Sequence, residues 1–295
     1  MAKRKSKADP EDLPDAPSKP AQQNDDGSGS DEDMDMVNVD FEWFDPQPAV
    51  DFHGLKTLLR QLLDVDAQLF DLSELTDLIL SQPTLGSTVK VDGNETDPYA
   101  FLTVLNLQTH KDKKVIRDLT NYLENKSASI PALRPLLDPT APSSQVGLIL
   151  TERFINMPHE IVPPMYTMLV EEISWALSEN EPYAFTHYLV LSKCYSEIAS
   201  SLPGTDAPRG KKARKSRGED GDGEEFYFHP EDEKLHEYAL GWASFEYDTP
   251  VDEGASDAKR AFQELGVKPK GHLMLIEAGR FEEAVGGVVT FLGGQ

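Results

Sequence analysis

The side chains best suited to chemistry are seven histidines and one cysteine, and their spacing argues against a metal centre. The histidines are His53, His110, His159, His187, His229, His236 and His272. The pair His236-Glu237 lacks the second histidine that would complete a His-Glu-x-x-His zinc helix. The lone cysteine, Cys194, can neither close an internal disulfide nor build a cysteine-based zinc or iron–sulfur site. We therefore predict no bound metal and no internal disulfide.

Nucleotide-binding loops and activated nucleophiles are also missing from the sequence. It contains neither a Gly-x-x-x-x-Gly-Lys-Ser/Thr loop nor a Gly-x-Gly-x-x-Gly turn after a strand. Cys194 lies in an apolar stretch, which raises the pKa of a thiol, so a packing role is favoured over nucleophilic attack. The acidic runs at 31–33 and 220–223 lack the ligand pattern of an EF-hand. We predict no catalytic residue and no cofactor.

The charge balance indicates which partners the protein favours. The 295 residues include 52 acidic and 28 basic side chains, for a net charge of −24. Such a charge repels phosphate backbones and anionic headgroups, so nucleic acid and membranes are poor partners, whereas basic proteins are favoured. No apolar run approaches the roughly 18 residues of a membrane span, and no secretory signal is recognisable. We expect a soluble intracellular protein.

Two basic strings interrupt the acidic background. The strings consist of Lys3, Arg4, Lys5 and Lys7, and of Arg209, Lys211, Lys212, Arg214, Lys215 and Arg217. They lie in the ranges 1–36 and 202–224, which have no periodic apolar pattern and are predicted to be disordered. An exposed basic string is what a nuclear-localisation signal requires, and a solvated linker is the alternative. Phosphate binding is disfavoured by the flanking acids and the lack of stacking aromatics.

The remaining chain alternates between strand and helix patterns. Strands are predicted at 37–45, 87–91, 100–108, 146–154, 183–195 and 272–277. Helices are predicted at 52–64, at 72–79 with Asp71 or Ser73 as the cap, at 115–123, from about 163 to 177, at 231–242 and at 281–292. This interleaving predicts an α/β or α+β class with a mixed sheet, in one domain over 37–295 that the 202–224 insert interrupts. Periodicity does not give the strand order.

One long stretch carries a family resemblance. Residues 152–173 read ERFINMPHEIVPPMYTMLVEEI, which resembles the signature of the BCCIP/Bcp family of eukaryotic nuclear proteins. Three further stretches agree with that family in the expected order: 39–46 (VDFEWFDP), 188–195 (YLVLSKCY) and 226–239 (FYFHPEDEKLHEYA). The resemblance covers about 37–295, and its first strand is similar to that of the fungal branch.

The resemblance implies a fold like the GNAT acetyltransferases without acetyltransferase activity. It implies a nuclear escort and export factor that shuttles between nucleus and cytoplasm with nuclear transport receptors. The clients it implies are a basic large-subunit ribosomal protein of the uL-fourteen class and a phosphoinositide kinase, whose export affects actin organisation and vesicular transport. The animal branch is tied to genome maintenance and cell-cycle control.

The sequence agrees with the absence of acetyltransferase activity that the resemblance implies. A GNAT enzyme holds the coenzyme A pyrophosphate on backbone amides in an Arg/Gln-x-x-Gly-x-Gly/Ala turn at a helix start. The nearest match is 263–268, which ends in Lys268 where a small residue is required, and Pro269 then offers no N–H. The alternatives are a divergent acyl-coenzyme-A-dependent acetyltransferase and an acidic histone-type chaperone.

The family stretch permits two roles. Its candidate residues are Glu152, Arg153, Asn156, Pro158, Pro163, Pro164, Tyr166, Glu171 and Glu172. In the first role, which we favour, the prolines and the tyrosine fix a strand-to-helix turn, and Glu152, Arg153 and Asn156 form an internal polar network. In the second, Glu152, Glu171 and Glu172 rim a surface that docks a peptide.

Overall fold

A computed structural model describes residues 39–138, 144–197, 225–250 and 266–293. Both basic strings, the predicted disordered ranges and positions 263–265 of the candidate pyrophosphate turn lie outside these described residues. The strands are β1 Phe41–Phe44, β2 Ser87–Val91, β3 Ala100–Asn106, β4 Val146–Arg153, β5 His187–Glu197, β6 Glu225–Tyr227, β7 Ala239–Phe245 and β8 Val267–Glu277.

The helices alternate with these strands along the chain. They are α1 Pro48–Leu63, α2 Leu72–Leu80, α3 Lys114–Lys126, α4 Leu133–Leu137, α5 Val162–Ser178, α6 Glu231–His236 and α7 Ala278–Gly293. Short 3-10 helices lie at Asp64–Leu69 and His159–Ile161. Within the described ranges, no helix combines the length and the apolar character needed to cross a bilayer.

The strands form one mixed sheet in the order β1-β2-β3-β4-β5-β8-β7, with β6 paired to β5 off this path. All pairs are antiparallel except β4 with β5. That parallel pair is joined by α5, because parallel neighbours need a long crossover connection. The predicted mixed-sheet α/β class is thereby confirmed.

Helices cover both faces of the sheet. Successive strand residues point to opposite faces, so Leu148 and Leu189 belong to a core with α1 to α4, whereas Ile149 and Val190 belong to a core with α5, α6 and α7. The central strands are buried on both sides and therefore read as nearly continuous apolar runs.

Local sequence explains several helix ends. The carboxylate of Asp71 accepts hydrogen bonds from the amides of Ser73 and Glu74, which makes Asp71 the N-cap of α2. Asp71 was one of the two residues predicted for this role. Helix α5 has prolines in its first turn, where their missing N–H costs nothing. Helix α1 begins at Pro48, a turn earlier than predicted. A proline is also tolerated at this first position, because its missing N–H has no partner within the helix.

The predicted helix at 231–242 is wrong beyond His236. Ala239 and Trp242 lie in β7, which pairs with β8 and completes the sheet, so tertiary pairing overrides the helical spacing. Strands β6 and β7 and helix α4 were not predicted. Strand β5 begins at His187 rather than 183, and β8 begins at Val267 rather than 272.

Candidate functional site

The parallel strands β4 and β5 separate at their carboxyl ends. They pair only from Val146↔His187 to Leu150↔Leu191, although both strands continue further. Beyond that point β6 takes the place of β4 beside β5, with Cys194 opposite Tyr227. The segment 228–232 that follows β6 thus reaches the gap between the two strands, and it meets them through polar side chains.

A buried histidine bridges this gap. The Nε2 atom of His229 lies 3.1 Å from Oε1 of Glu152 on β4, and its Nδ1 atom lies 3.3 Å from Oγ of Ser192 on β5. Glu152 also forms an ion pair with Lys193. By strand alternation Glu152 and Lys193 point to the α1 face and Ser192 to the α5 face, so the imidazole crosses the plane of the sheet.

A second set of contacts lies on the α5 face. Arg153 donates both terminal nitrogens to Glu231, with Nη2 at 3.0 Å from Oε2. The hydroxyl of Ser192 donates to the carboxylate of Asp232. Helix α1 joins the network from the other side, since Gln61 donates to the carbonyl of Arg153 at 2.8 Å. We call the residues Glu152, Arg153, Ser192, Lys193, His229, Glu231 and Asp232 the wedge network.

Burial and pairing shift the pKa values in the wedge network in different directions. Burial would raise the pKa of Glu152, but His229 and Lys193 outweigh it and lower this pKa to about 2. Burial would lower the pKa of His229, but Glu152 outweighs it and raises this pKa. Burial raises the pKa of Asp232 to about 7, and the like charge of Glu231 acts in the same direction. His229 therefore keeps its proton to higher pH than an ordinary imidazole does.

The order Ser192–His229–Glu152 resembles a nucleophile–base–acid arrangement, but its geometry does not suit that chemistry. Ser192 is fully buried, and its hydroxyl donates a hydrogen bond to Asp232 rather than to the imidazole. Because the serine proton is not directed at His229, the imidazole is not placed to activate this hydroxyl as a general base. The network instead replaces the backbone ladder that β4 and β5 lack at this point, which is a structural role.

A cleft of about 860 Å³ lies over one side of the wedge network. Glu152, Lys193 and His229 contribute to its lining, whereas Ser192 does not. The walls are mostly apolar and come from 154–159, 228–230, 246–250 and 267–269. Among the described residues, the buried hydroxyl of Tyr247 has no hydrogen-bond partner. The cleft therefore offers apolar walls and a few polar atoms, and the described residues that line it include no serine or cysteine.

The structure separates the candidate residues of the family stretch. Glu152 and Arg153 belong to the wedge network, whereas the predicted third member, Asn156, is exposed in the cleft wall. Pro158 precedes the 3-10 helix. The remaining turn residues, Pro163, Pro164 and Tyr166, lie in the first two turns of α5.

The predicted docking rim does not form as one surface. Glu152 is 1% exposed, so it cannot rim an accessible surface with Glu171. Glu172 accepts hydrogen bonds from the amide of Gly86 at 2.9 Å and from the hydroxyl of Ser87 at 3.3 Å. Only Glu171 of the three has an exposed side chain.

Sequence reasoning missed the distant partners in the wedge network. Lys193 and His229 stand far from Glu152 in the chain, and no spacing rule connects them. A usable signal was the charge inside apolar strands, since Lys193 interrupts an apolar run and a buried charge needs a partner.

The described residues bear on two predictions, the absence of a metal centre and the packing role of Cys194. There, no three His, Cys, Asp or Glu side chains are placed to hold a metal ion together. Cys194 is fully buried, and burial raises the pKa of its thiol to about 12. Its predicted packing role is confirmed.

Comparison with known proteins gives consistent matches. The BCCIP family model matches residues 36–235. The chain is 61% identical over 270 residues to Protein bcp1 of Aspergillus oryzae, covering 90% of this chain and 91% of that protein. It is 50% identical over 260 residues to Protein bcp1 of Schizosaccharomyces pombe, covering 86% and 89%. The crystal structure of BCP1 from Saccharomyces cerevisiae matches with a TM-score of 0.58 at 25% identity, covering 87% of this chain and 90% of that one.

Proposed function

This chain belongs to the BCCIP family, and from that membership and its acidity we propose that it is a non-catalytic escort for basic proteins. The proposal includes chaperoning of a basic large-subunit ribosomal protein of the uL-fourteen class. It also includes nuclear export of cargo such as a phosphoinositide kinase, with effects on actin organisation and vesicular transport. The protein would shuttle between nucleus and cytoplasm with transport receptors.

The observation that most supports this proposal is the segregation of charge along the chain. From residue 154 to residue 192 there is no lysine or arginine. The acids in this range are Glu160, Glu171, Glu172, Glu179 and Glu181. Such a region attracts a basic partner at long range and disfavours nucleic acid, which gives an escort its selectivity.

The acyltransferase alternative receives less support from the geometry. The described part of the candidate pyrophosphate turn is 266–268, and within it Val267 and Lys268 lie in β8 and pair with β5 rather than opening a helix. Amides held in a strand ladder are not free to bind phosphate. The mixed sheet with helices on both faces supports our further proposal that the fold is GNAT-like.

The test is a binding measurement with the purified full-length chain and a purified ribosomal protein of the uL-fourteen class. We expect saturable binding whose affinity falls as salt rises from low to physiological concentration. Histones added as competitors should displace the ribosomal protein poorly, and efficient displacement would favour the histone-chaperone alternative. A saturable rise in melting temperature with acetyl-coenzyme A would favour the enzyme instead.

A further inference from the structure

Helix α5 carries a large apolar side chain, Trp175, on the side that faces away from the core. The indole is 64% exposed. The opposite side of the helix is buried in the core through Leu169, Ile173 and Ala176. An indole left exposed on a helix is able to anchor a partner, because tryptophan is among the side chains that contribute most to binding affinity.

Acidic side chains flank this tryptophan at helical spacing. Glu171 and Glu179 stand four residues before and after Trp175, so all three lie along one side of the helix. Both glutamates are exposed, and the amide of Glu179 still bonds to the carbonyl of Trp175, which continues the helical turn. We call Glu171, Trp175 and Glu179 the α5 patch.

Basic side chains are absent from the α5 patch and its own segment. The nearest lysine or arginine along the chain lies before residue 154 or after residue 192. In the described part of the neighbouring helix α7 the basic residue is Arg280, which lies over the ring of Tyr238 and donates to its carbonyl. Burial raises the pKa of Glu172, and the negative charges of Asp45 and Glu171 act in the same direction, so Asp45 is a further acid close to this helix.

We propose that the α5 patch docks an arginine-bearing segment of a basic protein partner. This inference rests on the proposed escort function and names the surface that performs it. A guanidinium can lie flat on the indole of Trp175 while its N–H groups reach the carboxylate of Glu171 or Glu179. Arginine fits better than lysine, because its planar group stacks and bonds at once.

The test uses a fluorescently labelled arginine-rich peptide and the full-length chain, with binding measured by anisotropy at physiological ionic strength. Trp175→Ala should weaken binding about two- to fivefold, which corresponds to the loss of an exposed cation–π contact. Glu171→Gln with Glu179→Gln should weaken it about two- to tenfold. Trp175→Phe should weaken binding less than Trp175→Ala, because it keeps an aromatic face. A peptide with citrulline in place of arginine should bind at least about tenfold more weakly, because the positive charge is lost.

A matched control removes equal charge elsewhere. Asp77→Asn with Asp112→Asn changes two exposed acids on or near helices of the opposite face, and screening over the intervening distance should keep binding within about twofold of the wild type. If the α5 variants bind like this control, the patch is not the docking surface. If the wild type still binds the ribosomal protein in that case, the escort function stands and its surface lies elsewhere. If the wild type binds neither, both proposals fail.

Discussion

At the scale of single residues, the most consequential pair outside the wedge network is Asp51 with Lys90. Both side chains are fully buried, and Nζ of Lys90 lies 2.6 Å from Oδ1 of Asp51. Lys90 also donates to the carbonyl and side chain of Asn94, and Asp51 accepts from the amide of Gln47. The pair therefore joins the start of α1 to β2 and its following turn.

Removing one member of this pair should be costly. Lys90→Met leaves an unpaired buried carboxylate, so we expect the free energy of unfolding to fall by about 3–5 kcal/mol in urea denaturation. The double variant Asp51→Leu with Lys90→Met removes both charges and should recover most of that loss. Lys114→Met at the exposed pair with Asp118 should change stability by less than about 1 kcal/mol. A double variant no more stable than the single one would contradict this account.

The wedge network predicts how stability depends on pH. The pKa of Glu152 is lowered to about 2 on folding, so its contribution is present above about 4.5 and is lost as pH falls towards 2. The pKa of Asp232 is raised to about 7, so the folded state binds its proton more tightly and stability falls as pH rises from about 4 to 7. The raised pKa of His229 adds a loss above its ordinary value of 6.5.

The measurement is the free energy of unfolding of the wild type and of Asp232→Asn across pH 3–9. We expect the wild type to be most stable at mildly acidic pH. The asparagine variant cannot titrate, so its stability relative to the wild type should increase as pH rises from about 4 to 7. A difference that stays constant over that range would show that Asp232 keeps an ordinary carboxylate pKa in the folded state.

At the scale of elements, a helix or strand could be predicted from the sequence when the residues that determine it lie close together in the chain. The cap at Asp71 and the apolar spacing of α2 lie within a few residues, and this helix was predicted closely. Segment 238–242 also has helical spacing, yet it becomes β7 because β8 offers an unpaired edge that no local pattern reveals. The wedge network was partly foreseen through Glu152 and Arg153, but its partners come from segments brought together only by the sheet.

Two glycines in helices allow a matched test of packing. Gly54 in α1 faces Pro98, and a Cβ there would lie 2.4 Å from Cδ of that rigid ring. Gly54→Ala should therefore destabilise the protein by about 1–3 kcal/mol despite its better helix propensity. Gly286 in α7 has open space around it, so Gly286→Ala should stabilise the protein by about 0.5–1 kcal/mol. The measurement is the thermal denaturation of both variants and the wild type. A Gly54→Ala variant more stable than the wild type would refute the close contact with Pro98.

At the scale of the whole molecule, buried charges stabilise the fold, whereas the acidic excess favours binding of a basic partner. The wedge network and the Asp51–Lys90 pair satisfy their charges internally, and they hold strands and helices in register. The net excess of the chain is acidic, and the stretch from 154 to 192 carries five glutamates and no lysine or arginine. A rigid sheet that presents an acidic surface suits capture of a basic protein, since little ordering of the escort is needed on binding.

The two basic strings are the exception to this acidic excess in the sequence, and they predict the route into the nucleus. We expect them to act redundantly, because each has the density of lysine and arginine that an import receptor recognises. Changing Lys3, Arg4, Lys5, Lys7, Lys211, Lys212, Arg214 and Lys215 to alanine in a fluorescent fusion should shift its steady state towards the cytoplasm. The melting temperature should stay unchanged, because the strings lie in ranges that lack an apolar pattern.

The import test must measure both rate and accumulation. A chain of 32.8 kDa can also cross nuclear pores slowly without a receptor, so entry alone does not distinguish the two routes. Variants with only one string changed serve as controls and should still accumulate in the nucleus if the strings are redundant. If the variant with both strings changed concentrates in the nucleus as the wild type does, import must depend on a bound client or on a surface of the folded domain. The acidic region between 154 and 192 would then be the first surface to examine, because a basic client bound there would bring its own import signal.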